Sequence, residues 1–198
     1  MDGESVGEFG GERSLTVRGE DWDGRTVRID AKGSGIAYYT VLAEGIPREG
    51  EEGPRRDGVF VERAYFDADG RPVDLLGIPQ GEVIVCRLTV GSDRGAIRNV
   101  VVADLVPAGL EIENPRLMER QAFEWIKTEN ALRADYIDIR DDRLLLFTDA
   151  DAERKCFYYG LRAVSVGSFT LPPVKAEAMY DPAVRGIGEG GEVRIVAP

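Results

Sequence analysis

The chain has 198 residues, 43 % of them hydrophobic, which suffices for a real core and is too apolar for wholesale disorder. Its formal net charge of −11 argues against a nucleic-acid partner, because phosphate binding needs a basic face. With no histidine and two cysteines it has neither the base of a Ser-His-Asp or Cys-His mechanism nor the ligands of a four-thiolate zinc site, and no apolar run approaches the ~20 residues that span a membrane.

In chain order, residues 1–13 are rich in Gly and Glu and read as a flexible N-terminal segment. They lack the basic and apolar regions of a signal peptide. Taken alone this is a cytosolic start; a piece cut from a longer secreted chain looks the same. Nearly every later apolar segment is short and alternates with period two, the pattern of half-buried strands. A first group, 14–18, 26–31 and 35–44, predicts a small sheet that is marginal alone. The polar, Gly/Pro-rich stretch 46–58 has nothing to bury and reads as a domain boundary.

The second group predicts strands at 59–66, 82–90, 98–105 and 110–112. A hairpin follows at 136–139 and 143–147 around Asp141-Asp142, then two long strands at 155–166 and 168–179 joined at Gly167, and a last one at 192–196. About seven short strands with turns at this spacing point to an all-β, immunoglobulin-like sandwich. The domain division is therefore 1–13, a partial β segment at 14–57, and the sandwich at 58–198. Arg63, Arg87, Arg140 and Arg162 read as snorkelling or ion-paired strand residues. Residues 114–132 break the pattern, and Trp125 there is either an interaction anchor or, with Phe123 and Ile126, a cover over an open sheet edge.

Three stretches, NVVVADLVPAGLEIENP at 99–115, YIDIRDDR at 136–143 and FTLPPVKAEAMYDP at 169–182, resemble in composition and order the last macroglobulin-like domain of bacterial α2-macroglobulins. Ala37-Tyr38-Tyr39 and Gly45-Ile46-Pro47 resemble the end of the CUB-like domain that precedes it. The resemblance implies a macroglobulin-type β-sandwich within a large periplasmic protein, membrane-tethered or secreted, that traps proteases after they cut a bait region. Many members carry an internal Cys–Gln thioester, and a Met-Tyr pair on the last domain shields it from water. Met179 and Tyr180 match that pair. The implied partners are the thioester-containing domain of the same parent chain and target proteases reached through the parent; a cell-wall synthesis enzyme is the partner in a rival reading. The thioester motif, bait region and lipidation cysteine of the family lie upstream of the matched region, and this sequence contains none of them. No catalytic residue, cofactor or metal site is expected.

Other features carry competing readings. Cys86 and Cys156 could join the two sheets, but their strand phases put them on opposite sides, which favours two free thiols. Tyr158 or Tyr159 sits where a tyrosine corner would hydrogen-bond nearby backbone. Asp67-Ala68-Asp69-Gly70 with Asp74 has the look of a calcium loop but is more simply a hairpin turn. Asp135, Asp138, Asp141 and Asp142 form a denser acid cluster, of which Asp141-Asp142 at a hairpin tip is more simply a solvated turn. Two rival functions follow: a stand-alone extracytoplasmic β-sandwich that docks a cell-wall synthesis enzyme or another envelope protein without any trap, and a calcium-binding adhesin-like domain.

Overall fold

A computed structural model describes residues 53–113 and 129–198, Trp125, Ile126 and, nearer the N-terminus, Thr16, 28–30, 32–34, Ile36 and 38–40. The predicted strands at 14–18, 26–31 and 35–44, and Phe123, lie largely or wholly outside the described residues. The chain divides into two compact units, Met1–Gly45 and Ile46–Pro198. Among the described residues all strands belong to the second unit, and none of these residues is helical.

The strands are β1 (Arg55–Asp57), β2 (Val59–Phe66), β3 (Ile78–Pro79), β4 (Val83–Ser92), β5 (Ile97–Leu105), β6 (Leu110–Ile112), β7 (Tyr136–Arg140), β8 (Arg143–Ala150), β9 (Lys155–Ala163), β10 (Gly167–Leu171), β11 (Lys175–Ala178), β12 (Asp181–Ile187) and β13 (Gly191–Val196). They form a six-stranded sheet in the order β1-β12-β11-β5-β8-β7, a four-stranded sheet β2-β4-β9-β6, and a three-stranded sheet β10-β13-β3. Alternation produces the sandwich. Ile84, Cys86, Leu88 and Val90 of β4 all face the core, as do Leu144 and Leu146 of β8 and Val100 and Val102 of β5.

The structure departs from the sequence reading in several strands, among them the following. The single long strand predicted at 168–179 is two, β10 and β11, in different sheets. Pro172-Pro173 stands between them; neither residue has an amide to donate, so no ladder continues through the pair. The segment after Tyr180, left between the strands predicted at 168–179 and 192–196, is β12, which pairs with both β11 and β1. Its Pro182 and Gly186 dilute the alternation that marks a strand. Arg55–Asp57, read as linker, forms β1 at the sheet edge.

Trp125 packs on the sandwich. Its ring lies 5.3 Å from Phe66 and 5.9 Å from Tyr158, and its indole N–H donates to the Ala68 carbonyl at 3.0 Å. A Cβ on Gly70 would come within 2.7 Å of the indole, so the glycine leaves room for the ring.

Candidate functional site

β11 and β12 form a hairpin whose last pair is Ala178 with Asp181, so Met179 and Tyr180 make the whole connection. Alternation alone carries a strand through Met179. The strand instead ends at Ala178, and neither residue then lies on a sheet face. Met179 is 49 % exposed and Tyr180 82 % exposed. The small buried face of β11, Ala176 and Ala178, seats the hairpin closely against Val102 and Val100 of β5. At the tip the Met179 amide donates to the Asn99 carbonyl at 2.9 Å. Just beyond it, the Asp181 carboxylate accepts from the Ala183 amide at 3.1 Å.

The base of the hairpin is held from the core. Nη2 of Arg63, on β2, donates to the Pro172 carbonyl at 2.6 Å and to the Glu189 carbonyl at 3.3 Å. Those residues lie just before β11 and just after β12, so one guanidinium ties both feet. Nη1 pairs with Asp104 of β5, and the two side chains are only 3 % and 1 % exposed. The Tyr159 hydroxyl donates to the other Asp104 oxygen at 2.7 Å. The tyrosine therefore bonds a carboxylate on the facing sheet, not the nearby backbone expected of a tyrosine corner. Burial raises the Asp104 carboxyl above its ordinary range, against the pull of Arg63 and of the hydrogen bonds. Burial also works against the Arg63 guanidinium, but Asp104 and its neighbours more than offset it, so Arg63 stays charged.

Arg63, Asp104 and Asn99 were not singled out as site residues. One signal existed: Asp104 continues the inward phase of Val100 and Val102, a lone acid where an apolar residue belongs.

The remaining candidates resolve into structure. Cys86 and Cys156 are free, with Cys86 in the core and Cys156 on the other face, its Sγ 3.7 Å from the Thr89 hydroxyl. Burial pushes the Cys86 thiol well up. In native buffer a maleimide should therefore modify Cys156 first and reach Cys86 only on unfolding, as peptide mapping by mass spectrometry would read. Early labelling of Cys86 would contradict the packing. Asp67 accepts from the amides of Asp69 and Arg71 at 2.9 and 2.8 Å, and Arg71 pairs with Asp69, so these groups build a turn. Asp138 pairs with Arg140, and Asp142 is held low by its hydrogen bond to Arg143. Of the four strand arginines, Arg63, Arg140 and Arg162 are ion-paired, Arg162 with Glu113 at 2.7 Å, and Arg87 stacks on Phe66 at 4.9 Å. Among the described residues no group of His, Cys, Asp or Glu side chains is placed to hold a metal ion.

A sandwich of this order, all-strand among the described residues and with an anchored hairpin inside its six-stranded sheet, is a macroglobulin-type β-domain. A family model described as "Bacterial Alpha-2-macroglobulin MG10 domain" matches residues 58–183, and the chain belongs to that family. It is 33 % identical over 175 residues to the alpha-2-macroglobulin of Xylella fastidiosa (strain Temecula1), covering 83 % of this chain and 10 % of that one. It is 31 % identical over 160 residues to that of Pasteurella multocida, covering 80 % and 8 %. The crystal structure of trypsin-activated alpha-2-macroglobulin from Escherichia coli superposes with a TM-score of 0.68 at 26 % identity, covering 73 % of this chain and 11 % of that one. The chain thus spans about a tenth of the length of the curated relatives it matches.

Proposed function

We propose that the chain is the non-catalytic C-terminal part of a bacterial, periplasmic alpha-2-macroglobulin-type protease trap. The segment before β1 completes a CUB-like domain, and the sandwich, which begins at β1 and not at residue 58, is the last macroglobulin-like domain. In this reading Met179 and Tyr180 cover the thioester of another domain of the same parent and stabilise the closed state. Target proteases meet the parent, and a cut in its bait region shifts the population to the open state.

The observation that supports the lid is the hairpin tip itself: two consecutive large residues, both exposed, form a short turn tied down at tip and base. An activated acyl group survives only where water is kept away. A tyrosine supplies a broad apolar face for that purpose and one hydroxyl for orientation. A tip that is already ordered loses little entropy when it docks.

The test is made in the full-length parent. Tyr180→Ala should release free thiol in plain buffer about tenfold faster, equivalent to ~1.4 kcal/mol of lost protection. Release at the unmodified rate would sink the lid assignment, leaving a macroglobulin domain with no part in thioester protection.

A further inference from the structure

The turn that carries Met179 and Tyr180 reaches past the regular part of β5. There the ladder between β5 and β8 changes register: Ile97 pairs with Ala150, and the next pair is Val100 with Thr148. β5 advances three residues while β8 advances two, so β5 carries one extra residue. Asn99 occupies the bulge with φ 57°, and among the described residues no other non-glycine residue has positive φ. Left-handed backbone crowds any Cβ, and asparagine is one of the few side chains that enter it readily.

This conformation determines where the two backbone polar groups of Asn99 point. Its carbonyl accepts the Met179 amide at 2.9 Å. Its amide donates to Oδ1 of Asp149, on β8, at 3.0 Å. One residue therefore ties the first residue of the tip to β5 and, through Asp149, to β8. In regular extended backbone Asn99 would add an ordinary rung to the ladder. The register of Val100 with Ala178 would continue to Asn99 with Met179, and the amide and carbonyl of Asn99 would both face β11; the left-handed backbone leaves the carbonyl on Met179 and turns the amide to Asp149 on β8. The Asn99 side chain is exposed, so the position constrains backbone shape more than packing.

We infer that Asn99 is a positioning residue for Met179–Tyr180: its left-handed bulge sets where the tip stands relative to the sheet. Its effect on thioester protection rests on the lid reading; its effect on the tip does not. Arg63 fixes the feet of the same hairpin, but its removal also exposes a buried charge pair. Asn99 acts at the surface and can be changed with the core intact.

Two substitutions separate the backbone role from any side-chain role. Asn99→Gly keeps the left-handed conformation available, whereas Asn99→Val does not, because a β-branched residue is an outlier there. The first readout is amide hydrogen exchange at Met179, followed by NMR in the isotope-labelled chain, with the core amides of Leu144 and Leu146 as the control for global stability. Exchange at Met179 should be as slow in Asn99→Gly as in the unmodified chain and about tenfold faster in Asn99→Val. The core amides should be unmoved. If Asn99→Val leaves the Met179 amide equally protected, the positioning role is wrong.

The second readout is thiol release in the full-length parent. Asn99→Val should approach the rate of Tyr180→Ala, and Asn99→Gly should stay near the unmodified rate. If Tyr180→Ala itself has no effect, the lid reading fails while the exchange experiment still decides what Asn99 does to the tip. If Tyr180→Ala accelerates release and Asn99→Val does not, despite faster exchange, Asn99 orders the tip without contributing to protection, and the inference is overturned at that step.

Discussion

Arg63→Met is expected to destabilise the sandwich by about 3–5 kcal/mol, the cost of breaking a buried ion pair from one side. Chemical denaturation would read it as a lower midpoint with an unchanged slope. The loss has two sources. The guanidinium leaves Asp104, whose side chain is 1 % exposed and keeps only the Tyr159 hydroxyl among the hydrogen bonds described above. It also leaves the carbonyls of Pro172 and Glu189 at the feet of the hairpin. The double variant Arg63→Met with Asp104→Leu separates them. Recovery of most of the loss would assign it to the stranded carboxylate; no recovery would assign it to the two carbonyls. Tyr159→Phe, which removes one hydrogen bond to a charged acceptor, should cost about 1.5–3 kcal/mol. A loss below ~1 kcal/mol in Arg63→Met would mean that water reaches Asp104 and that the pair is not buried as described.

The pH dependence of Arg63→Met has a definite sign. Burial already raises the Asp104 carboxyl, and without Arg63 the hydrogen bond from Tyr159 is left to oppose that rise without the charge that opposed it most. Above the ordinary carboxyl range the unfolded chain has lost this proton and the folded variant still holds it. The unfolded state then binds fewer protons, so stability falls as pH rises through that window. The deficit relative to the unmodified chain should widen from mildly acidic to neutral pH.

Where one face of a strand is buried and its partner is close in sequence, the strand was legible. β2 and β6 coincide with the segments predicted at 59–66 and 110–112, and the β7–β8 hairpin turns at Asp141-Asp142 as expected. The phase argument on Cys86 and Cys156 held for the same reason, since period two is local. Readings failed where long-range geometry overrides local pattern. Nothing within 168–179 says that β10 joins β13 while β11 joins β5. The Arg63 fork reaches carbonyls 109 and 126 residues away, a relation with no periodic signature. Met179 and Tyr180 are named through family resemblance, while alternation places Met179 at the end of a strand and Tyr180 just beyond it. Their exposure follows from the register of Ala178 with Asp181, which only the paired structure reveals.

The least legible strand makes the second large prediction. Gly186 of β12 lies where β12 crosses β2: a Cβ there would stand 2.5 Å from the Val59 carbonyl oxygen and 3.1 Å from the Phe60 Cα. Both are main-chain atoms, so no rotamer change can relieve the contact, and the strands must move apart. Gly186→Ala should therefore cost about 3 kcal/mol, near the upper end for overpacking, by chemical denaturation. Gly77 is the control, because nothing lies within 4 Å of its Cβ position. There the added methyl group mainly restricts the unfolded chain, so Gly77→Ala should be neutral or slightly stabilising. The same glycine that weakened the strand signal in the sequence is thus the one that lets β12 close against β2, the strand that carries Arg63. A shift in Gly186→Ala should extend to the hairpin, with faster amide exchange at Ala176, which pairs with Gly186. An unchanged midpoint would mean that β12 and β2 stand farther apart than described, and the close seating of the hairpin on the sandwich would then need another cause.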